Sequence, residues 1–246
     1  MRSAFAYLGA LLALAVSVCL ALPGAAQDQD EGQGGISSPL LSRCAGKFGA
    51  ILRAGDQAFP LFELAGVPWI NIERTDQNVD GAHIVAIVSG IGTRSRRRGE
   101  IVGLRYRCLI DDKGAAMSFT WNDLLPQNNE ALPPGIMLRG SAVYQPKRPL
   151  PPGAELRVQL FDRAAEPPAL LTESVVRSSW VDPIPFSLRL PRDMKLEGRK
   201  LVVQLRLSLG RLVLYRLKEP HALALDRLLQ PIDVTIDAVD AGRGVN

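Results

Sequence analysis

Histidine is nearly missing from this chain of 246 residues, with His83 and His221 the only two. No HExxH, GxSxG, SxxK or GxxxxGK[ST] pattern accompanies them. A hydrolase triad would have to borrow one of these two side chains, and a zinc site would need more ligands than the chain readily collects. Each histidine sits beside apolar or small residues in a strand-like or extended context, so structural or surface placement is expected. Asp111, Asp112 and Asp123 could in principle supply paired carboxylates, but adjacent aspartates ahead of Gly114 read as a hydrated turn. The expectation is a protein that is not an enzyme, with no catalytic residues, no metal, no cofactor and no identifiable small-molecule substrate.

Cysteine is also scarce, at three residues, and one of them lies in an apolar leader. Arg2 forms a positive n-region, Ala4 to Leu22 carries no charge, and Gly24-Ala25-Ala26 ends the run with small residues where a signal peptidase reads. Residues 1–26 are therefore read as a signal peptide, with the mature chain starting at Gln27. Two alternatives stay open. The run approaches the roughly 20 residues that span a bilayer, so an uncleaved anchor would also fit. Cys19 could be acylated as in a bacterial lipoprotein, although Val18 stands where the processing peptidase wants a small residue. The compartment in each case is exported, periplasmic or cell envelope.

Export leaves Cys44 and Cys108, and in an oxidising compartment a lone pair of thiols tends to bridge. Closing a loop this long stabilises a fold by up to about 4 kcal/mol in the chain-entropy model. A Cys44–Cys108 disulfide is expected, since a redox or metal role lacks CxxC spacing and nearby histidines.

Aromatic residues are thin at 6% against 47% hydrophobic content, so the cores are expected to rest on Leu, Val and Ile. Net charge is modest: losing Arg2, the one charge before Gln27, takes the formal +4 to +3. The local exception is Arg94-Ser95-Arg96-Arg97-Arg98. It follows Gly90-Ile91-Gly92 and is expected to crown an exposed loop, where guanidinium groups repel and seek counter-ions. Export argues against nucleic acid. Anionic lipid, lipopolysaccharide phosphate or an acidic partner fit better, because arginine binds phosphate and carboxylate bidentately. A solvated turn with no partner is the plain alternative.

The chain divides by composition. Residues 27–41 are rich in Gln, Asp, Gly and Ser and read as a flexible leader. Residues 42–125 read as an N-terminal β-rich domain holding the disulfide, with strands at 83–89, 101–110 and 115–121 and a tight hairpin turn at Asp111-Asp112-Lys113-Gly114. Residues 126–136 are a Pro-rich linker, 137–239 a second β domain and 240–246 a flexible tail. In the second domain Leu156, Val158 and Leu160 alternate with Glu155, Arg157 and Gln159, the period of two of a half-buried strand. Phe186/Leu188/Leu190, Leu205/Leu207/Leu209, Val213/Tyr215/Leu217 and Ile232/Val234/Ile236 repeat it. Apart from a turn or two at 223–229, no amphipathic helix competes. The fold class is all-β: two small β domains, the C-terminal one an immunoglobulin-like antiparallel β-sandwich.

The order Gly140-Ser141-Ala142-Val143-Tyr144, Leu150-Pro151-Pro152-Gly153-Ala154, Leu156-Arg157-Val158-Gln159-Leu160 and Ile184-Pro185-Phe186-Ser187-Leu188 resembles the YbaY/YscW family of bacterial envelope lipoproteins. That family pattern is a G-x-V-x-Y strand, an LPPGA turn, a V-x-L strand and a P-F strand. The resemblance implies a small, non-enzymatic envelope β-sandwich; some members act as pilotins or chaperones that bind a secretin. Here the lipobox is poor and the N-terminal region has no counterpart in that pattern. The PPG turn also follows from geometry, since two prolines fix φ and Gly153 can take a positive one.

Two function classes follow. One is an envelope binding or assembly factor that holds a partner polypeptide by a strand edge or sheet face. The other is a structural or ligand-binding envelope protein that recognises anionic lipid or cell-wall components. Oligomeric state is left open.

Overall fold

A computed structural model of the chain describes residues 37–55, 58–96, 99–125, 131–178 and 182–239. The expected signal peptide, Cys19, most of the leader, Arg97, Arg98 and the tail lie outside them. The described elements are the helix α1 (Ser37–Gly55) and the strands β1 (Leu61–Ala65), β2 (Ile70–Val79), β3 (Ala82–Ser95), β4 (Ile101–Asp111), β5 (Ala116–Leu124), β6 (Gly135–Gln145), β7 (Glu155–Asp162), β8 (Ala169–Ser178), β9 (Ile184–Pro191), β10 (Leu201–Leu209), β11 (Leu212–Arg216), β12 (His221–Ala222) and β13 (Ile232–Ala238). A single 3-10 turn at Leu225–Arg227 is all that forms in the 223–229 stretch.

The all-β class holds, and all the strands belong to one sheet. Its order is β5-β4-β3-β1-β8-β7-β10-β11-β13-β6-β9, with β2 added to β3 and β12 to β10. The C-terminal half departs from a purely antiparallel sandwich in one pairing, because β13 runs parallel to β6 from Ile232 opposite Gly140 to Asp237 opposite Gln145. The N- and C-terminal regions are joined through β1. It pairs antiparallel with β3 on one side, Leu61 opposite Ser95, and with β8 on the other, Leu61 opposite Ser178.

Residues 37–41, expected to be leader, are the start of α1, and Leu41 is fully buried. Leu41, Cys44, Ala45, Phe48 and Leu52 recur at the spacing of one helix face, and burying that stripe against the sheet orders the segment. It packs on Phe62, Leu64, Val88, Tyr106 and Phe119. Phe48 stacks on Phe119 with centroids 4.5 Å apart and tilts onto Phe62 at 4.7 Å and Trp121 at 4.9 Å. The few aromatics are thus concentrated in this core, contrary to the expected aliphatic one, and such ring pairs add about 0.5–1.5 kcal/mol each beyond area burial. The second core does rest on Leu, Val and Ile, with Leu138, Leu156, Val158, Leu160, Leu188, Leu190, Val203 and Ile236 almost wholly enclosed.

Turn chemistry fixes the connections. Asp80 and Gly81, at φ 50° and 80°, close the β2–β3 hairpin in the mirror-image turn that matches strand twist. The expected β4–β5 hairpin forms, with Ala115 N donating to Asp111 Oδ1 at 2.6 Å. In the LPPGA segment Ala154 N donates to Pro151 O at 3.1 Å and Gly153 sits at φ 93°. That is a type II turn with proline at its second position and glycine at its third.

Candidate functional site

Cys44 and Cys108 are bonded, with Cα atoms 5.9 Å apart across a sequence separation of 64, and both are fully buried. The bridge ties α1 to β4 beneath the aromatic cluster. It is the expected pairing, and its enclosure makes it a staple.

The arginine cluster is divided. β3 extends to Ser95, so Arg94 belongs to a strand and not to the loop where it was expected. Its guanidinium reaches Asp123 at 2.5 Å and 3.1 Å and lies 3.8 Å over the Phe59 ring. A cation so enclosed is committed to the fold. Arg96 stands beside the turn, paired with Glu100 at 3.2 Å and half exposed. Asp123, taken up by Arg94, sits at the opposite end of β5 from Asp111 and Asp112, so the aspartates form no pair. His83 Nε2 donates to Asp76 Oδ1 at 2.7 Å and the ring lies 4.0 Å from Asp112, while His221 is exposed in β12. Among the described residues, no group of three or more His, Cys, Asp or Glu could hold a metal.

Two polar joints had no sequence signal. The first links α1 to β7 and β8. Glu155, 3% exposed, accepts from Ser42 Oγ at 2.5 Å and from Arg177 Nη2 at 2.9 Å, and Arg157 contacts both Ser42 and Glu155. Burial pushes the Arg157 guanidinium below its ordinary value, opposed by Glu155 and assisted by the charge of Arg206.

The second joint closes the free side of β9. Glu63 on β1 accepts from Ser187 N at 3.1 Å and from Ser187 Oγ at 2.9 Å and 3.0 Å. Trp69 Nε1 and Thr172 Oγ1 both donate to Arg189 O, at 2.8 Å and 2.9 Å. Desolvation raises the Glu63 carboxyl to about 7, with the Ser187 hydrogen bonds working against it. Since the Ser187 N–H points away from β6, alternation along an antiparallel strand gives residues 185, 189 and 191 the same outward orientation. Pro185 and Pro191 therefore occupy positions whose N–H would otherwise be offered to an incoming strand. This edge is blunted by proline and capped by side chains.

The remaining pieces of the motif meet in space. A Cβ on Gly140 would fall 2.2 Å from Ile232 O and 2.5 Å from the Phe186 ring, so the glycine of the first strand seats the phenylalanine of the P-F strand. What these residues build is a side-chain-locked β scaffold whose charged groups serve as joints between elements.

The model of the YscW family, type III secretion system lipoprotein chaperones, matches residues 134–225. That span takes in β6 through β12, so the C-terminal region carries the likeness that its motifs suggested, and the segment from α1 to β5 lies outside it. Among solved structures, an alternative pilotin from the type II secretion system of Vibrio cholerae aligns with 16% identity and a TM-score of 0.38, over 42% of this chain and 96% of that one. Likeness at that level carries no conclusion for this chain. No curated protein matches.

Proposed function

We propose that the protein is a non-enzymatic, exported envelope factor that binds a partner polypeptide and assists its assembly. The observation that carries this reading is the coincidence of the chaperone-family match with the block β6–β12, whose Gly140, Phe186 and Gly153 hold the family motif in place. A secretin-type outer-membrane protein is the partner class that the family resemblance brings forward, and attachment through Cys19 would place the factor at the same membrane.

The mode of binding follows from the edges. β9 is blunted, so main-chain pairing at that edge is disfavoured. The arginine turn is a weaker anionic site than its composition suggests, because Arg94 is taken up by Asp123 and Arg96 by Glu100.

The test is affinity capture from envelope extract with the mature chain, combined with gene deletion. Recovery of one envelope protein whose multimer disappears in the deletion strain is the expected result. Recovery of no partner, or a partner that assembles normally without this protein, overturns the reading.

A further inference from the structure

The sheet stops at β5 on one side and at β9 on the other, and β2 adds a further free side next to β3. A free side offers the N–H and C=O groups of every second residue to an incoming strand, and proline, charge or a bulge discourages that pairing. β9 turns its prolines outward and is capped by Glu63. β2 holds Glu73, Arg74 and Asp76 and is broken by a register shift between Arg74 and Gln77. β5 has neither proline nor a basic residue, and its one charged side chain, Asp123, is held by Arg94. From Ser118 to Leu124 its register with β4 runs without a shift, and among the described residues no strand lies on its outer side. It is the long edge left open.

The two faces beside that edge differ in chemistry. Toward α1, Phe119 and Trp121 belong to the aromatic cluster, and Trp121 is only half-buried. On the opposite face Arg105 and Arg107 of β4 are exposed, two positions apart, and make no ion pair among the described residues. Their cross-strand neighbours are uncharged, Ile91 and Ser89 on β3, Asn122 and Thr120 on β5. The short side chains of Thr120 and Asn122 leave room for both guanidinium groups to extend across β5 toward the open edge.

We propose that the β5 edge takes up an extended segment of a partner polypeptide whose residues alternate between acidic and apolar. The proposal rests on the partner-binding reading above and gives it a location. Added to β5, such a strand lies about 9.6 Å from β4, two strand spacings, a gap that a glutamate and an arginine close together. Its acidic side chains meet Arg105 and Arg107, while its apolar ones extend the cluster beside Trp121. Main-chain bonds supply affinity and the two faces supply specificity. A second copy of this chain is the poorer occupant, since antiparallel pairing of β5 with itself brings the arginines of both copies onto one face. An anionic lipid surface would meet the arginines but leave the main-chain groups of the edge unused.

The test uses the full mature chain and four probes: a short peptide alternating Glu and Val, its Gln counterpart, the Glu peptide with prolines at its centre, and phosphatidylglycerol vesicles. Wild type should bind the Glu peptide, with amide hydrogen exchange slowed in residues 118–124 and unchanged in β9. Affinity should fall roughly fivefold in Arg107→Thr and again in Arg105→Thr, the weight of one exposed charge pair each, while the melting temperature holds. A merely structural arginine would lower that temperature. Equal binding of the Gln or the proline peptide, unslowed exchange in β5, arginine variants that bind like wild type, or binding to vesicles alone overturns the proposal. So does a free chain that already protects β5 by associating with itself as concentration rises. If envelope capture recovers a partner whose retention ignores both substitutions, this edge is wrong and the general reading stands. If the Glu peptide binds at β5 but no envelope partner is recovered, the edge stands and the general reading fails.

Discussion

Glu63 caps the outward main-chain N–H of Ser187 at 3.1 Å, 124 positions away in sequence, and so joins the β1 strand to an edge with which it forms no ladder. Its carboxyl, raised to about 7 against an ordinary 4.5, binds a proton more tightly in the folded than in the unfolded chain. Between those two values the native state holds the proton and the unfolded state has lost it, so this group makes stability fall as pH rises from about 4.5 to about 7 and level off above. Urea unfolding across that window should show the decline in wild type and a flatter profile in Glu63→Gln. An identical slope in both would remove Glu63 as its source. Glu63→Ala should cost about 1–3 kcal/mol at pH 4.5 and below, by leaving the Ser187 N–H without its acceptor, and progressively less as pH rises toward 7.

The buried disulfide predicts a large and simple loss. Replacing Cys44 and Cys108 together with alanine should destabilise the protein by up to about 4 kcal/mol, the entropy of an unlinked loop in the unfolded chain. Thiol titration of unfolded protein, with and without reductant, checks the bond itself: two free thiols before reduction would refute it.

The Tyr106 hydroxyl is buried without a hydrogen-bond partner, over a glycine. A Cβ on Gly90 would lie 2.8 Å from that oxygen and 2.9 Å from the ring carbon that bears it. Tyr106→Phe should therefore be neutral or stabilising by about 1 kcal/mol, since an unpaired buried hydroxyl carries its desolvation cost. Gly90→Ala should be destabilising, and Tyr106→Phe should recover part of that loss. Thermal melts of the two single variants and the double variant measure the coupling, and strict additivity would count against the contact.

Arg94 separates structure from surface binding. Arg94→Ser should lower stability by about 1–3 kcal/mol, because it strands Asp123 and uncovers Phe59. Substituting Arg96, Arg97 and Arg98 with Ser should leave stability nearly unchanged and test vesicle binding alone. Equal stability losses in the two variants would show that the turn is as structural as the strand.

The strands of the second core were legible because Leu156, Val158 and Leu160 alternate with polar residues, and the disulfide because only two cysteines lie outside the apolar leader. The helix was not. Its apolar stripe is diluted by Gly46 and Gly49, both weak helix formers. Strand β2, mostly exposed, has no clean alternation and was not expected, and the Asp80-Gly81 pair is the sequence signal that points to its hairpin. The parallel β6–β13 pairing and the Glu63–Ser187 bond join residues far apart in sequence, and no local pattern encodes such meetings.

The β1 strand has a consequence for modularity. Five residues, Leu61 to Ala65, pair with β8 inside the C-terminal region although they precede the family-matched span by some seventy positions. Cutting the chain between β5 and β6 would strip β8 of that neighbour, take the cap from Ser187 and uncover Arg177 and Glu155. The portion that bears the family pattern is thus not a detachable cassette, and grafting it without the preceding half would carry over an unfinished sheet.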